Sequence, residues 1–330
     1  MASAPRSAFS VKPFDISVPA TSANLGPGFD TIGLALDLRL RAHVEPADAF
    51  SISFIPGPAA PTHEGFGQEI QRGMKAVLGA RAKPAIAIHV DNPIPLGKGL
   101  GSSAAAGVLG ACIAAQAIGL ELSEADMTRV VTDLEGHPDN ALPALLGGIV
   151  IAAQRGEDAP SYLRFTPPAG VRAIIAIPEL ELATFEARAL LPHNYRKEDV
   201  VYNIQRAALL AASLASGNLA HLRVAMSDRI HQPYRSAFVP GLPECLGLQM
   251  EGLLGVALSG AGPSIIALVE GNVLAISAAL RGAFELHKIS CETWVLGLSS
   301  IGVHIRPNGG EGALEARGSE EPGGPTGTNG

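Results

Sequence analysis

Pro93-Ile94-Pro95-Leu96-Gly97-Lys98-Gly99-Leu100-Gly101-Ser102-Ser103 runs straight into Ala104-Ala105-Ala106, and the reading of this stretch organises the rest of the chain. Three glycines at alternate positions let the backbone curl with its amides turned inward. Two serines follow, and the alanine-rich run over residues 104–119 reads as a tightly packed helix. Converging N–H groups, two hydroxyls and the positive end of a helix then surround one concave spot, an arrangement that holds a polyphosphate. A glycine-rich loop alone is a weak signal, since a plain turn before a buried helix has the same composition. The flanking sequence has to decide.

A chain of 330 residues suits about two domains of roughly 150 residues. Hydrophobic residues make up 47% and charged ones 17%, enough for a large core, and 38 glycines and 25 prolines imply many turns. The net charge of -7 offers no basic field to displace counterions from a nucleic acid. A nucleotide, bound locally, is not excluded. Cys112, Cys245 and Cys291 are widely spaced and odd in number, which fits neither a disulfide framework nor a zinc site. Reduced thiols in a cytoplasmic protein are expected. Arg6 and Lys12 near the start are not followed by an apolar run long enough for a signal peptide, and residues 104–117 are too short to span a bilayer.

Periodicity predicts strands over residues 16–19, 32–44, 50–55 and 85–90, with a helix over 68–78 before the glycine loop. Ser123 with Asp126 is an N-terminal cap for a helix to Leu134; Glu135-Gly136-His137-Pro138-Asp139-Asn140 breaks it, and a helix restarts over 141–146. A strand over 149–153 precedes a change to charged, proline- and glycine-containing sequence over 155–170, read as a domain boundary. The second half reads as strand 171–177, helices 199–216 and 218–227, strands 253–258 and 264–269, helix 272–284, and strands 291–298 and 303–306. The two central strands flank a second glycine-rich turn, Ser259-Gly260-Ala261-Gly262-Pro263. From Pro307 the composition is that of a disordered tail.

Three separated motifs carry a resemblance. They are Val18-Pro19-Ala20-Thr21-Ser22-Ala23-Asn24-Leu25-Gly26-Pro27-Gly28-Phe29-Asp30, the loop over 93–103, and Leu258-Ser259-Gly260-Ala261-Gly262-Pro263-Ser264. In this order and spacing the chain resembles the galactokinase–homoserine kinase–mevalonate kinase–phosphomevalonate kinase (GHMP) superfamily. The first motif, with residues 135–140 and Asp228-Arg229-Ile230-His231-Gln232-Pro233-Tyr234-Arg235, is similar to its homoserine kinase branch, over about residues 13–306. The resemblance implies an α/β (α+β) fold: a ribosomal protein S5 domain 2-like ATP-binding domain over 13–160 and a ferredoxin-like domain over 161–306. A flexible N-terminus of 1–12 and the tail of 307–330 lie outside them. It also implies ATP and Mg²⁺ as cofactors, L-homoserine as substrate in a step towards threonine, a cytoplasmic location, and a homodimer as a family expectation. A different small-molecule kinase of the superfamily, acting on shikimate or mevalonate, and a silent ligand sensor on the same scaffold are the alternatives.

Residue by residue, the resemblance assigns Pro95, Leu96, Gly97, Lys98, Gly99, Leu100, Gly101, Ser102, Ser103, Ala104, Ala105 and Ser259 to the nucleotide. Lys98 either adds charge beside the phosphates or is a solvated lysine. Ser103 and Glu135 are the magnesium candidates, with Asp133 as the alternative carboxylate. Arg188 and Arg235 match groups that receive the substrate carboxylate, and Asp30 and Asn24 match those that receive its amino end. Asn140 is assigned to orient the attacking hydroxyl, and Asp139 is the nearby candidate base. His137 either contacts substrate or completes the turn fixed by Pro138.

Overall fold

The computed structural model describes residues 11–55, 63–154, 156, 158–180 and 188–307. Strand β1 (Phe14–Asn24) begins with the alternation of a half-buried strand: Phe14, Ile16 and Val18 are buried while Asp15 and Ser17 are half-exposed. It pairs antiparallel with β2 (Gly28–Pro46), from Phe14 opposite Val44 to Asn24 opposite Gly28. The strand expected over 16–19 therefore continues through the small polar residues up to Asn24. They are buried, and Thr21, Ser22 and Ala23 continue the strand because β2 pairs with them through Ala35, Leu34 and Gly33.

Strand β3 (Ser51–Phe54) runs parallel to β4 (Ile86–Asp91), and α1 (His63–Leu78) makes the crossover. The glycine loop then delivers the chain to α2 (Ser102–Ala117), in which all residues but Ser103 and Gln116 are buried. Its small side chains let it lie against α1: a Cβ on Gly110 would stand 2.0 Å from the Ile70 carbonyl oxygen. Helix α3 (Glu124–Glu135) is capped as expected, the Ser123 hydroxyl accepting the Asp126 amide at 3.1 Å. Helix α4 (Pro138–Leu146) and β5 (Ile149–Ala153) follow, and β5 pairs with the first half of β2.

An element that the sequence pattern does not announce is β6 (Ser161–Phe165), an outer strand on β5 with little burial. It lies inside the segment read as a boundary and adds to the first sheet. After it come β7 (Arg172–Pro178) and α5 (Lys197–Ser216). The single helix expected over 218–227 is instead a 3-10 turn followed by the short α6 (Leu222–Ala225). Next are α7 (Gln232–Arg235), α8 (Leu242–Leu246), β8 (Leu253–Leu258), β9 (Ile265–Val269), α9 (Val273–Glu285), β10 (Cys291–Gly297) and β11 (His304–Pro307).

The first sheet has the order β11-β1-β2-β4-β3, with β5 on β2 and β6 on β5; the second has the antiparallel order β10-β7-β9-β8. Because β11 returns to the outer side of β1, the first sheet draws strands from beyond residue 160 at both β6 and β11. In β7, Ile174 and Ala176 face the smaller core with Ile276, Leu280 and Phe284 of α9, while Ala173, Ile175 and Ile177 face the main core. That main core also takes Leu210 and Leu214 of α5 and continues into the first sheet, so the two sheets are held across one apolar interior. No helix among the described residues is long and apolar enough to cross a membrane. Pro307, the first residue of the expected tail, is instead the last of β11, paired with Phe14; the rest of the tail and most of the N-terminal segment lie outside the described residues.

Candidate active site

The β1–β2 turn, the loop before α2 and the β8–β9 turn meet at one cleft of about 360 Å³. Gly97, Gly99 and Gly101 all adopt left-handed backbone, with φ of 65°, 74° and 66°. Gly101 stands at the N-cap of α2 without a side-chain cap, leaving the first amides of the helix directed at the cleft. The Ser102 hydroxyl is buried and has no partner among the described residues. An orphaned donor beside a helix N-terminus fits a phosphate oxygen. Pro95, Leu96, Gly97, Gly99 and Leu100 line the same wall.

Other loop assignments change. Ala104 and Ala105 are core residues outside the cleft lining, and the Ala105 amide already donates to the Gly101 carbonyl at 2.9 Å. Lys98 is half-exposed and lines the cleft, and its ammonium is engaged by carbonyls: it donates to those of Pro178 at 3.1 Å and Leu180 at 2.5 Å. It fastens the loop to the end of β7. Ser259 is fully buried and acts through the loop, donating to the Gly99 carbonyl at 2.7 Å and accepting from Ser22 at 2.8 Å. A Cβ on Gly99 would lie 2.2 Å from the Ser259 carbonyl oxygen, so the two turns meet only because residue 99 lacks one.

Asn24 has φ of 70° and braces the β1–β2 turn. Its Nδ2 donates to the Gly260 carbonyl at 2.9 Å, and its Oδ1 accepts the Asp30 amide at 3.0 Å. It lines the cleft, with its side chain already committed at both ends. Asp30 accepts both Nη atoms of Arg188, each at 2.8 Å. The groups expected to take opposite ends of a zwitterion are thus paired with each other. Arg235 is buried beneath them, donating to the Gly260 carbonyl at 3.2 Å and to His231 Nδ1 at 3.1 Å. Burial, then the nearby Arg188, lowers its pKa to about 10, against the pull of Asp30, Asp228 and Asp139. It remains a cation at neutral pH.

His231 is fully buried, and its Nε2 lies 2.7 Å from the Gly26 carbonyl. Nε2 therefore carries the proton and Nδ1 accepts from Arg235; burial lowers the pKa and favours this neutral form. Asp228 accepts the amides of Ile230, His231 and Gln232 and the Asn203 side chain. The motif around Asp228 is in this way the foundation under Arg235. Sequence reasoning singles out neither His231 nor Phe29, whose ring centre lies 5.4 Å from the Arg188 guanidinium and 5.5 Å from that of Arg235. Only the spatial meeting of Phe29 with two arginines identifies it.

At the opposite wall the Ser103 hydroxyl donates to Glu135 Oε2 at 3.3 Å. Glu135 lines the cleft, whereas Asp133 is exposed and lies outside the lining residues. Burial raises the Glu135 pKa, with Glu69 of α1 adding to it and His137, Ser103 and Arg72 opposing. Glu69 and Phe66 also line the cleft, a contribution from α1 that no motif marks. His137 Nδ1 is bonded to Asp139 Oδ1, with Asp139 buried. Burial alone would lower the His137 pKa, but the Asp139 bond, Asp30 and Glu135 raise it overall. Asp30, His137 and Asp139 bring ligand atoms within 4.8 Å of one another, yet Arg188 engages both Asp30 oxygens and His137 engages Asp139. Asn140 lines the cleft with its Oδ1 accepting from the Thr21 hydroxyl at 2.7 Å.

Known proteins resemble this chain in sequence and in fold. Residues 68–148 match the N-terminal domain of the GHMP kinases, and residues 209–286 match the C-terminal domain. The homoserine kinase of Solibacter usitatus is 41% identical over 286 residues, spanning 85% of this chain and 93% of its own. A homoserine kinase of Thermus thermophilus is 42% identical over 275 residues, spanning 80% of this chain and 91% of its own. The crystal structure of homoserine kinase from Cytophaga hutchinsonii superposes with a TM-score of 0.75 at 26% identity, covering 93% of this chain and 99% of that one. The S5 domain 2-like and ferredoxin-like halves are those of the GHMP fold. Shared sequence, shared architecture and one cleft built from all three motifs place the chain in the homoserine kinase family of the GHMP kinases.

Proposed function

We propose that the chain transfers the γ-phosphoryl group of ATP to the side-chain hydroxyl of L-homoserine, giving O-phospho-L-homoserine and ADP. One observation carries this reading. A single cleft places an amide-rich glycine loop at a helix N-terminus beside charged groups of both signs, Asp30 with Arg188 and Arg235. Homoserine has an ammonium and a carboxylate to match both signs. Shikimate and mevalonate carry only the carboxylate, which on taking Arg188 would leave Asp30 without a counter-charge. The relatives that share about two-fifths of their residues with this chain support the same substrate.

In this reading the amides at Gly97–Ser103 and the Ser102 hydroxyl hold the polyphosphate. Magnesium takes oxygen ligands and keeps several waters, so the Ser103 hydroxyl and the Glu135 carboxylate, 3.3 Å apart beside the helix end, fit it. When bound, the ion would offset negative charge on the phosphates. Asn140 orients the acceptor hydroxyl. Asp139, buried and closed on His137, serves to fix the start of α4 rather than to act as a strong base. A loose transition state needs positioning and charge more than proton abstraction, so no stronger base is required.

The test is a coupled ADP-release assay with homoserine, shikimate and mevalonate. Homoserine is expected to be preferred by roughly 10⁴, the scale reached by a site that pairs its substrate's polar groups. Equal turnover of either other acid would overturn the reading.

A further inference from the structure

Thr21 lies buried in β1, and none of the roles assigned above uses it. The β1–β2 ladder is regular up to Pro19 opposite Arg39 and resumes with a shifted register at Thr21 opposite Ala35. At this irregularity the Thr21 amide donates to the Leu100 carbonyl at 3.1 Å, and its hydroxyl donates to Asn140 Oδ1 at 2.7 Å. Gly101 leaves the room for it: a Cβ there would stand 1.9 Å from Thr21 Oγ1 and 3.1 Å from Asn140 Oδ1. One residue thereby links the loop, the start of α2 and the cleft-facing amide of α4.

A carboxamide has an acceptor end and a donor end. With the acceptor end taken by a buried hydroxyl, the NH₂ end is the one left to the cleft that Asn140 lines. We propose that Thr21 is a positioning residue that fixes the Asn140 carboxamide with its NH₂ towards the reacting atoms. There it donates to the oxygen of the acceptor hydroxyl or of the phosphoryl group in transfer, and it accepts no proton. Turned the other way, the amide would set its own oxygen against the phosphate oxygens and oppose the charge it should stabilise. The inference rests on the placement of Asn140 at the phosphoryl-transfer site.

Thr21→Val removes the O–H at nearly constant shape, and Thr21→Ser keeps it. For Thr21→Val, kcat is expected to fall by about 10–100-fold, the scale of a misplaced catalytic group. KM for ATP and homoserine should both stay within about threefold, the pattern of an interaction made in the transition state. Thr21→Ser should restore turnover, and Thr21→Val added to Asn140→Ala should slow the reaction no further, since the hydroxyl acts through that amide. Wild-type kcat in Thr21→Val, a rise in KM for ATP alongside the fall, or multiplying losses in the double variant would overturn the proposal. Full turnover in Asn140→Ala would instead remove Asn140 from the site, and Thr21 with it. Should a thermal melt show that Thr21→Val does not fold, Thr21→Ala against Thr21→Ser carries the same comparison.

Discussion

Arg188 and Asp30 close on each other across 158 residues of sequence, with two hydrogen bonds of 2.8 Å. Their side chains are 44% and 33% exposed, so the pair adds little to stability. It does set the terms of entry. A simple carboxylate that takes Arg188 leaves Asp30 without its partner, whereas a zwitterion covers both. Asp30→Asn should therefore raise KM for homoserine by about 10–100-fold, the worth of one charge-assisted contact. The same variant should be inhibited more strongly than the wild type by 4-hydroxybutyrate, which lacks the ammonium. Steady-state ADP release measures both, and unchanged inhibition would show that Asp30 does not hold Arg188 against anions.

Gly97 and Gly99 share a left-handed backbone but not their surroundings. A Cβ on Gly97 meets nothing within 4 Å, while one on Gly99 meets the Ser259 carbonyl oxygen at 2.2 Å. Gly97→Ala should lose about 1–2 kcal/mol, the cost of a left-handed L-residue. Gly99→Ala should lose more, because the β8–β9 turn has to retreat and the Ser259 bond to the Gly99 carbonyl goes with it. Urea denaturation compares the two, and KM for ATP should rise further in Gly99→Ala. Equal stability of the pair would mean that the second turn yields freely.

What can be read from sequence follows from how local each signal is. The alternate glycines before α2, the Ser123–Asp126 cap and the buried strand β7 declare themselves within a few residues. Strand β6 does not, because it is an outer strand with Leu163 65% exposed and so lacks a buried face. The extension of β1 through Thr21 and Ser22 is hidden for the opposite reason, since small polar residues that resemble a turn are buried by β2. Lys98 suggests a phosphate partner because it sits among loop glycines, but its carbonyl acceptors lie 80 and 82 residues away. Bonds such as Ser259 to Gly99, over 160 residues, leave no periodic trace in either segment.

His137 links the cleft to the pH dependence of folding. Its pKa is raised: burial works against the charged ring, and the Asp139 bond with Asp30 and Glu135 prevails. A raised folded-state pKa stabilises fully below the unfolded value of about 6.5 and is lost as pH climbs through the folded value. The wild type should accordingly melt above His137→Gln by a margin that is full below about pH 6.5 and narrows as the pH rises above it. Melting curves on both sides of that pH test it, and a margin independent of pH would show that the ring is not charged in the folded protein.

Glu135 is shifted upward for a different reason. Burial raises its pKa, so it takes up a proton at a higher pH than the ordinary glutamate value of about 4.3. A magnesium ligand has to be the carboxylate, because protonation removes the charge and half of the donor oxygens. At limiting magnesium, activity should therefore start to fall on the acid side at a higher pH than titration of an exposed glutamate would give, and added magnesium should recover it. Glu135→Gln should lose most turnover at every pH, whereas Asp133→Asn, on the exposed side of α3, should keep the wild-type magnesium dependence. Magnesium titrations at several pH values decide this, and a Glu135→Gln variant with unaltered magnesium dependence would place the ion on other oxygens.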